Sequence, residues 1–243
     1  MDRQVRQADL VLRNNVFYLA AVIDAPEATP FEAKDFLGVD LGVRNIAVDS
    51  DGDAYSGGQL NGLRNRHSKL RARLQSKGTK SAKGLLKKRS GKEARFARNV
   101  NHAIAKSLVA KVKDTGRGIA LEDLKGIRGR TTVRGKHQRR VHGSWSFNQL
   151  RNFIEYKAKL MGVPVVLIDS HNTSRTCPSC SYIDGANRKR ELFHCQLCGY
   201  AGVANQVTAV NIGRVAVNRP HVSELDQMFS PPGTSPHPSG VGS

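Results

Sequence analysis

The chain has 243 residues, 39% of them hydrophobic, which is enough for one large domain, or a medium one with a small appendage. No stretch of about 18 consecutive apolar residues occurs, which excludes an apolar membrane-spanning helix. Its 39 Lys and Arg against 20 Asp and Glu give a net charge of +19, which is typical of proteins that bind a polyanion. The N-terminus has no apolar segment after its basic start, so we expect a cytoplasmic protein.

The first part of the chain predicts β structure. Residues 8–23 contain two β-rich runs around residues 13–15, which predicts a hairpin. Residues 24–34 contain two prolines and are predicted to form a connector. Residues 36–49 contain two apolar runs around a glycine-containing turn, which predicts two buried strands, and residues 51–53 would turn the chain into a third.

Residues 61–100 are dominated by cations, with fourteen Lys or Arg against the single acid Glu93. Helices are expected here, with breaks near Gly78 and Gly91. A solvated charged face is one interpretation, but cations without counter-charges repel one another, and a phosphate backbone relieves that repulsion. The predicted nucleic-acid contacts in this segment are Arg64, Arg66, Lys69, Arg71, Arg73, Lys87, Lys88 and Arg89.

The middle of the chain alternates helix and strand patterns. Between residues 93 and 113 apolar residues recur every four positions, which predicts a core-facing helix that ends at Gly116 and Gly118. A short buried strand is predicted over residues 118–124. Residues 128–143 predict a basic loop, with further candidate phosphate contacts at Arg128, Arg130, Arg134, Arg139 and Arg140.

A second amphipathic helix is predicted over residues 147–160, ended by Gly162, and residues 163–169 predict another strand. Residues 204–217 are helix-like, and the last segment is rich in Pro, Gly and Ser, which predicts disorder. This order of strands and helices predicts an α/β fold with helices against a sheet.

All four cysteines lie in one segment, as two C-x2-C pairs separated by fourteen residues, which is close to zinc-ribbon spacing. The pairs are Cys177 with Cys180 and Cys195 with Cys198, and Gly199 allows a tight turn after the second pair. Four thiolates suit tetrahedral Zn²⁺, and a closed four-ligand site is structural. The alternative is four unligated thiols, which this spacing disfavours.

Two carboxylates occupy candidate strand positions, Asp40 after Gly38-Val39 and Glu122 after three apolar residues. Brought together from separate strands they would form a Mg²⁺ site, because hard cations prefer oxygen ligands. Two-metal sites cleave phosphodiesters by binding the attacking and leaving oxygens. Taken singly, each acid fits a structural strand-end residue better, and Asp123 beside Glu122 leaves the choice of ligand open.

The chain resembles the C-terminal part of TnpB, a family of insertion-sequence RNA-guided nucleases, also called transposases, related to type V CRISPR effectors. The motifs follow the family order, from about residue 8 to 214: GVDLG at 38–42, LEDL at 121–124, WSFNQL at 145–150 with YKA at 156–158, and SRTCPSC at 174–180 with CQLCGY at 195–200. The resemblance implies an RNase H-like (RuvC) mixed sheet with flanking helices and an inserted zinc ribbon. It also implies that Asp40 and Glu122 are the first two nuclease acids, and that the four cysteines ligate zinc.

One motif departs from the family. The third acid of the family opens a D-x-N-A-A-x-N-I segment after the ribbon, and here Asn205 stands at that position. Val207 replaces the asparagine that follows it, and no acid between Glu191 and Glu224 could substitute. An amide is a neutral, weaker ligand for Mg²⁺, so we predict impaired or absent cleavage.

The resemblance further implies a division of the chain into five parts: a remnant β-rich wedge segment and connector (1–34), the first part of a RuvC-like domain with a basic helical insertion (35–173), the zinc ribbon (174–201), a closing helix (202–219) and a disordered tail (220–243). The N-terminal recognition region of the family and much of its wedge domain have no counterpart here. Guide-RNA and target recognition by this chain would therefore lack those parts.

Three functions are compatible with the sequence. The first is a nuclease-deficient TnpB relative that binds DNA, with a guide RNA, and carries structural Zn²⁺ and at most weakly held Mg²⁺. The second is a Mg²⁺-dependent RuvC-type endonuclease in which Asn205 or a displaced acid suffices. The third is a truncated, decaying transposase copy. The neutral side chain of Asn205 favours a binding protein over a nuclease.

Overall fold

The computed structural model describes residues 5–13, 15–124, 147–169 and 171–218. The chain begins with β1 (Val5–Arg13) and β2 (Val16–Ile23), which form a two-stranded antiparallel hairpin as predicted. Asn15 has a φ of 61°, the left-handed conformation that tight hairpin connections require. Large apolar side chains of this hairpin are exposed: Leu10, Leu12, Phe17 and Leu19.

A five-stranded mixed sheet forms the centre of the fold. Its strands are β3 (Phe36–Leu41), β4 (Asn45–Asp49), β5 (Ala54–Ser56), β6 (Gly118–Glu122) and β7 (Val165–Ile168), in the spatial order β5-β4-β3-β6-β7. The β5-β4-β3 half is antiparallel and the β3-β6-β7 half is parallel. The parallel half has helices in its crossovers, as parallel strands require.

The described part of the chain contains five α-helices: α1 (Gly58–Lys77), α2 (Lys80–Arg89), α3 (Lys92–Thr115), α4 (Phe147–Met161) and α5 (Ala204–Val217). The predicted breaks in the basic segment are confirmed, because Gly78 and Gly91 take left-handed φ values of 64° and 77° at the helix ends. Gly116 and Gly162 do the same after α3 and α4, with φ values of 66° and 68°.

The two faces of the sheet are covered by different helices. Leu37, Val39 and Leu41 of β3 point into one core cluster, which they share with α3 and α4. Phe36 belongs to a second cluster with Ile212 of α5 on the opposite face. Because side chains alternate along a strand, Gly38 and Asp40 share the α5 face with Phe36.

Helix α5 lies unusually close to β3 at a pair of glycines. A Cβ atom on Gly38 would lie 1.9 Å from the carbonyl oxygen of Ala209 and 2.5 Å from the backbone nitrogen of Gly213. A Cβ on Gly213 would lie 2.8 Å from the carbonyl oxygen of Phe36. Backbone therefore packs directly on backbone here, which only glycine permits.

Three strands, β8 (Arg188–Lys189), β9 (Leu192–His194) and β10 (Ala201–Val203), form a small sheet in the order β10-β9-β8 between β7 and α5. A 3-10 turn, Gly185–Asn187, leads into β8. In the described residues, no helix combines the length and apolarity needed to cross a membrane. The predicted basic loop over 128–143 and the predicted tail over 220–243 lie outside the described residues.

Replacing Gly38 by alanine tests the close helix–strand contact. The new Cβ would overlap the Ala209 carbonyl, so we expect the free energy of unfolding to fall by about 3 kcal/mol or more. Gly84, in the middle of α2, has nothing within 4 Å of the position that a Cβ methyl would occupy, so Gly84→Ala should raise stability by about 0.5–1 kcal/mol. Urea unfolding measures both, and equal effects of the two substitutions would contradict the contact.

Candidate active site and metal centre

Asp40 and Glu122 come together because their strands are parallel neighbours. Val39 pairs with Leu121 in the β3–β6 register, so the next residue of each strand, Asp40 and Glu122, occupies adjacent positions. Neighbouring strands lie about 4.8 Å apart, which brings the two carboxylates within electrostatic reach. Both are half-buried at the carboxyl ends of the parallel strands, on the α5 face.

The packing of α5 places Asn205 beside this pair. Ala209 lies against Gly38 and Gly213 lies against Phe36, so the helix runs antiparallel to β3. Four residues of helix and two residues of strand cover similar lengths, about 6 Å and about 6.6 Å. One helical turn before Ala209, Asn205 therefore lies near Asp40. The resemblance predicts the third acid of the family at this position.

Arg188, from β8, enters the same space. Its Nη2 donates a hydrogen bond to Oδ1 of Asn205 at 2.8 Å, and its Nη1 donates to Oγ1 of Thr208 at 3.1 Å. The guanidinium also opposes the upward pKa shifts of Asp40 and Glu122, so its positive charge acts on both carboxyls. The cation thus lies among two acids and the amide.

Burial dominates the electrostatics of the two acids. It raises the pKa of Asp40 from 3.8 to about 7, and the neighbouring charge of Glu122 adds to the shift. Burial also raises the pKa of Glu122, against a hydrogen bond from Thr173 and the charge of Arg188. At neutral pH Asp40 is therefore only partly ionised.

A second hydrogen-bond chain fixes Glu122. Thr173 donates from Oγ1 to Oε1 of Glu122 at 2.9 Å. The buried side chain of Asn211, in α5, donates from Nδ2 to the carbonyl oxygens of Thr173 and Thr176, at 2.7 and 2.8 Å. The helix that presents Asn205 therefore also holds the segment that orients Glu122.

The choice between Glu122 and Asp123, which the sequence left open, is made by the fold. Asp123 accepts a hydrogen bond from Nη1 of Arg151 at 3.2 Å, on the α4 side. Glu191, the nearest acid before the ribbon's second pair, is bonded to Arg44. Of these three acids, Glu122 is the one that faces Asp40.

Sequence reasoning did not single out Arg188, Thr173 or Thr208. The only sequence signal for Arg188 is the basic run at residues 188–190, between the two cysteine pairs. Nothing in that run indicates which of its three cations turns inward, because the choice depends on how the ribbon lies against α5.

The four cysteines form a cluster of the size a metal ion requires. Their Sγ atoms all lie within 4.8 Å of one another, with Cys177 and Cys198 at 3.6 Å and Cys180 and Cys195 at 3.5 Å. Sulfurs bound to one tetrahedral zinc at about 2.3 Å would be about 3.8 Å apart. Disulfide sulfurs lie much closer, at about 2.05 Å. The cluster is therefore positioned to bind a metal ion.

The two cysteine pairs sit on matching turns. In the first, Ser181 donates its backbone N–H to the Cys177 carbonyl at 3.0 Å and has a φ of 61°. In the second, Gly199 donates to the Cys195 carbonyl at 3.1 Å and has a φ of 74°. Backbone N–H groups also point at the sulfurs, from Ser179 to Cys177 and from Cys198 to Cys195. These N–H groups would stabilise thiolate charge.

The predicted phosphate-binding cations divide into three groups. Glu93 contacts Arg64 at 3.6 Å and Arg71 at 3.9 Å, so these two have a counter-charge within the fold. The five predicted arginines between residues 128 and 143 lie outside the described residues. The remaining predicted cations are exposed on α1 and α2: Arg66, Lys69, Arg73, Lys87, Lys88 and Arg89.

Two family models match the chain. The model described as "Probable transposase" matches residues 20–127. The model described as "Cas12f1-like, TNB domain" matches residues 147–212, which include the four cysteines.

Individual proteins are similar over more of the chain. TnpB-like protein MJ0751 of Methanocaldococcus jannaschii is 30% identical over 197 residues, which cover 75% of this chain and 69% of that protein. CRISPR-associated endodeoxyribonuclease Cas12f1 of Sulfoacidibacillus thermotolerans is 29% identical, over 82% of this chain and 50% of its own length. Cas12f1 of Syntrophomonas palmitatica is 29% identical, over 78% of this chain and 40% of its own. The chain thus spans half or less of these two Cas12f1 relatives.

Solved structures show the same fold. A Cas12f1-sgRNA-target DNA complex superposes with a TM-score of 0.55 and 21% identity, over 83% of this chain and 54% of that one. A CRISPR-Cas12f ternary complex gives a TM-score of 0.59 and 20% identity, over 86% and 44%. The predicted α/β fold, a mixed sheet with flanking helices, is confirmed.

The raised pKa of Asp40 predicts a pH-dependent stability. The native state keeps this proton up to about pH 7, whereas the unfolded chain releases it near the ordinary value of 3.8. The contribution of Asp40 to the free energy of unfolding is therefore complete below about pH 4 and is lost as the pH rises through about 7. With no divalent cation added, the unfolding free energy of wild type should fall relative to Asp40→Asn by about 4 kcal/mol between about pH 4 and 8, since each pKa unit is worth about 1.4 kcal/mol.

Asp51→Asn is the control of opposite sign. Hydrogen bonds from Arg117 lower the pKa of Asp51, so its contribution is present above about pH 4 and is lost in acid. Chemical denaturation from about pH 2 to about pH 8 measures both variants, because the contribution of Asp51 is lost only below about pH 4. Parallel pH curves for wild type and Asp40→Asn would contradict the shift at Asp40.

The cysteine cluster predicts one tightly bound metal ion per chain. Cys195→Ser should lose that ion and lower the midpoint of thermal unfolding, because the small ribbon has few apolar residues to hold it together. Ser179→Ala, between two of the ligands, should keep the metal. Elemental analysis of the purified proteins measures the stoichiometry, and a metal-free wild type that melts like Cys195→Ser would contradict the site.

Proposed function

The chain belongs to the TnpB-like family, and from this premise we propose that it is a transposon-associated protein that binds DNA, together with a guide RNA, without cleaving it. The relatives include proteins named as endodeoxyribonucleases and a complex that contains guide RNA and target DNA. The net charge of +19 and the exposed cations of α1 and α2 support the same partners for this chain.

The observation that carries the proposed loss of cleavage is the hydrogen bond from Arg188 to Asn205. The side-chain oxygen of Asn205 is the only atom of that side chain that could ligate a cation, and it already accepts from a guanidinium. A carboxylate there would offer a second oxygen and a negative charge. The amide offers neither.

The residues present do not fit a pair of Mg²⁺ ions. When bound at a site of this kind, two such ions hold the attacking and leaving oxygens of a phosphodiester. Here the ligand set holds two carboxylates, one of them only partly ionised at neutral pH, and a resident cation acts on both. Divalent ions would have to displace or repel the guanidinium, so weak binding is expected.

For the cysteine cluster we propose Zn²⁺ in a structural role. Four sulfur ligands favour zinc over hard cations, and a site closed by four protein ligands leaves no position for substrate. The metal would hold together the module that carries Arg188, and so would position that side chain against α5.

A second candidate function is a Mg²⁺-dependent endonuclease. It is favoured by the register that sets Asp40 beside Glu122 on one face of the sheet, since two adjacent carboxylates can still hold a divalent ion. Such an enzyme would need a third ligand from water, from substrate or from Asn205 after Arg188 had moved away.

Cleavage and metal binding by variants separate the two functions. Wild type, Asn205→Asp and Asp40→Ala are incubated with labelled single- and double-stranded DNA and Mg²⁺, and binding is recorded in the same samples. We expect wild type to bind DNA without cutting it. Asn205→Asp should cleave DNA at a rate at least about tenfold above the background seen with wild type, because a third carboxylate restores the negative charge of the ligand set. Asn218→Asp, which adds the same charge at the far end of α5, should not gain it.

Thermal unfolding with and without Mg²⁺ provides a second measurement, which needs no nucleic acid. Asn205→Asp should gain a rise in melting temperature on addition of Mg²⁺ that wild type lacks. Cleavage by wild type that Asp40→Ala abolishes would refute the non-cleaving proposal and support the endonuclease.

A further inference from the structure

An aromatic cluster lies between α3 and α4, away from the carboxylate site. His102 of α3 stacks on Phe153 of α4, with ring centroids 3.7 Å apart and planes within 14°. Tyr156 meets both rings edge-on, at 6.3 and 6.0 Å. Its hydroxyl shares a hydrogen bond of 3.3 Å with Nδ1 of His102. The three rings therefore hold one another in fixed orientations.

The cluster is on the outer surface of the helical layer. The inner side of α4 is formed by Ile154 and Ala158, both fully buried in the core cluster that α3 and α4 share with the sheet. Tyr156 retains 40% of its surface exposed, although its hydroxyl is already hydrogen-bonded. An aromatic ring that is rigidly supported, exposed and no longer needs a polar partner presents its surface to a ligand.

Cations surround these rings. Nζ of Lys157 lies 5.0 Å from the centroid of the Tyr156 ring. Arg98 and Lys106 stand four residues before and after His102, so they lie along its face of α3. Burial, Lys157 and Arg98 lower the pKa of His102, which shows that positive charge acts on the ring.

The carboxylates of α3 and α4 are either bonded to other cations or far from the aromatic cluster. Glu93 contacts cations of α1, and Glu155 accepts from Nε of Arg151 at 2.6 Å. Asp114 lies twelve residues from His102 along α3, about 18 Å away. The positive charge around the cluster is therefore left without a nearby counter-charge on these helices.

We propose that Tyr156, supported by His102 and Phe153, stacks against an unpaired base of a single-stranded nucleic acid, whose phosphates contact Lys157, Arg98 and Lys106. Aromatic rings combined with cations bind single strands because every base has a π face and every nucleotide a phosphate. Paired bases inside a duplex hide those faces. This site rests on the proposed nucleic-acid binding but is separate from the cations of α1 and α2.

Paired substitutions test the stacking contact. Fluorescence anisotropy measures the affinity of the full chain for one labelled oligonucleotide, as a single strand and as a duplex. Tyr156→Leu should weaken single-strand binding by about 5- to 30-fold, the effect of losing one stacked base, and leave duplex binding within about twofold. Tyr156→Phe, which keeps the ring, should bind as wild type does.

Tyr18→Leu is the matched control, since Tyr18 is also exposed, at 54%, but lies on the β1–β2 hairpin. It should leave single-strand affinity unchanged. A single-stranded probe containing 2-aminopurine should be quenched on binding to wild type and Tyr156→Phe, and less so with Tyr156→Leu. Melting temperatures of all variants establish that they are folded.

The outcomes separate this inference from the proposed function. If wild type binds neither single strands nor duplex, both are overturned. If wild type binds single strands and Tyr156→Leu binds them equally well with the same quenching, the stacking site is overturned and nucleic-acid binding stands. Equal losses of single-strand and duplex affinity would also overturn it, because only an unpaired base can stack.

Discussion

The close packing of α5 on β3 is the contact on which the rest of the structure depends. Gly38 and Gly213 let two backbones meet without intervening side chains, and a methyl group on Gly38 would overlap the Ala209 carbonyl. Because α5 starts directly after the ribbon, the same contact fixes where the ribbon lies. It therefore also decides which residues reach the carboxylates at the end of β3 and β6.

The charge balance of that site supports the proposal that the protein binds nucleic acid without cleaving it. Burying two carboxylates side by side is costly unless a proton or a cation compensates, and here both are used. Asp40 holds its proton toward neutral pH, and Arg188 supplies a permanent positive charge. The guanidinium is held by Asn205 and Thr208, so the amide serves as its anchor. The proton on Asp40 and the charge of Arg188 therefore offset the two carboxylates without a divalent ion.

Only part of the excess positive charge is offset by acids within the fold. Glu93 offsets part of the charge of α1 through Arg64 and Arg71, which helps α1 pack beside α3. The cations exposed on α1, α2 and the α3–α4 surface outnumber the acids that the described residues place near them. Repulsion among them destabilises the isolated protein, and a polyanion relieves it. Phosphate binding would therefore stabilise the same fold that presents the cations.

The sequence by itself determined the local elements and the four cysteines that could hold a metal ion. Four-residue periodicity in α3, the glycines at 78, 91 and 116, and the spacing of the four cysteines each depend on residues close together in the chain. The mixed sheet and the candidate acids Asp40 and Glu122 also came from sequence, through the motifs shared with the family. The assignment of a role to Asn205 remains a prediction.

Only the tertiary structure decided which side chains complete the site. Glu122 was distinguished from Asp123 by Thr173 on one side and Arg151 on the other, which are 51 and 28 residues away along the chain. Arg188 and the Tyr156 cluster likewise arise from contacts between separate elements. Such contacts are set by how α4 and α5 pack against the rest of the fold. A local sequence pattern does not predict which distant element will lie against it.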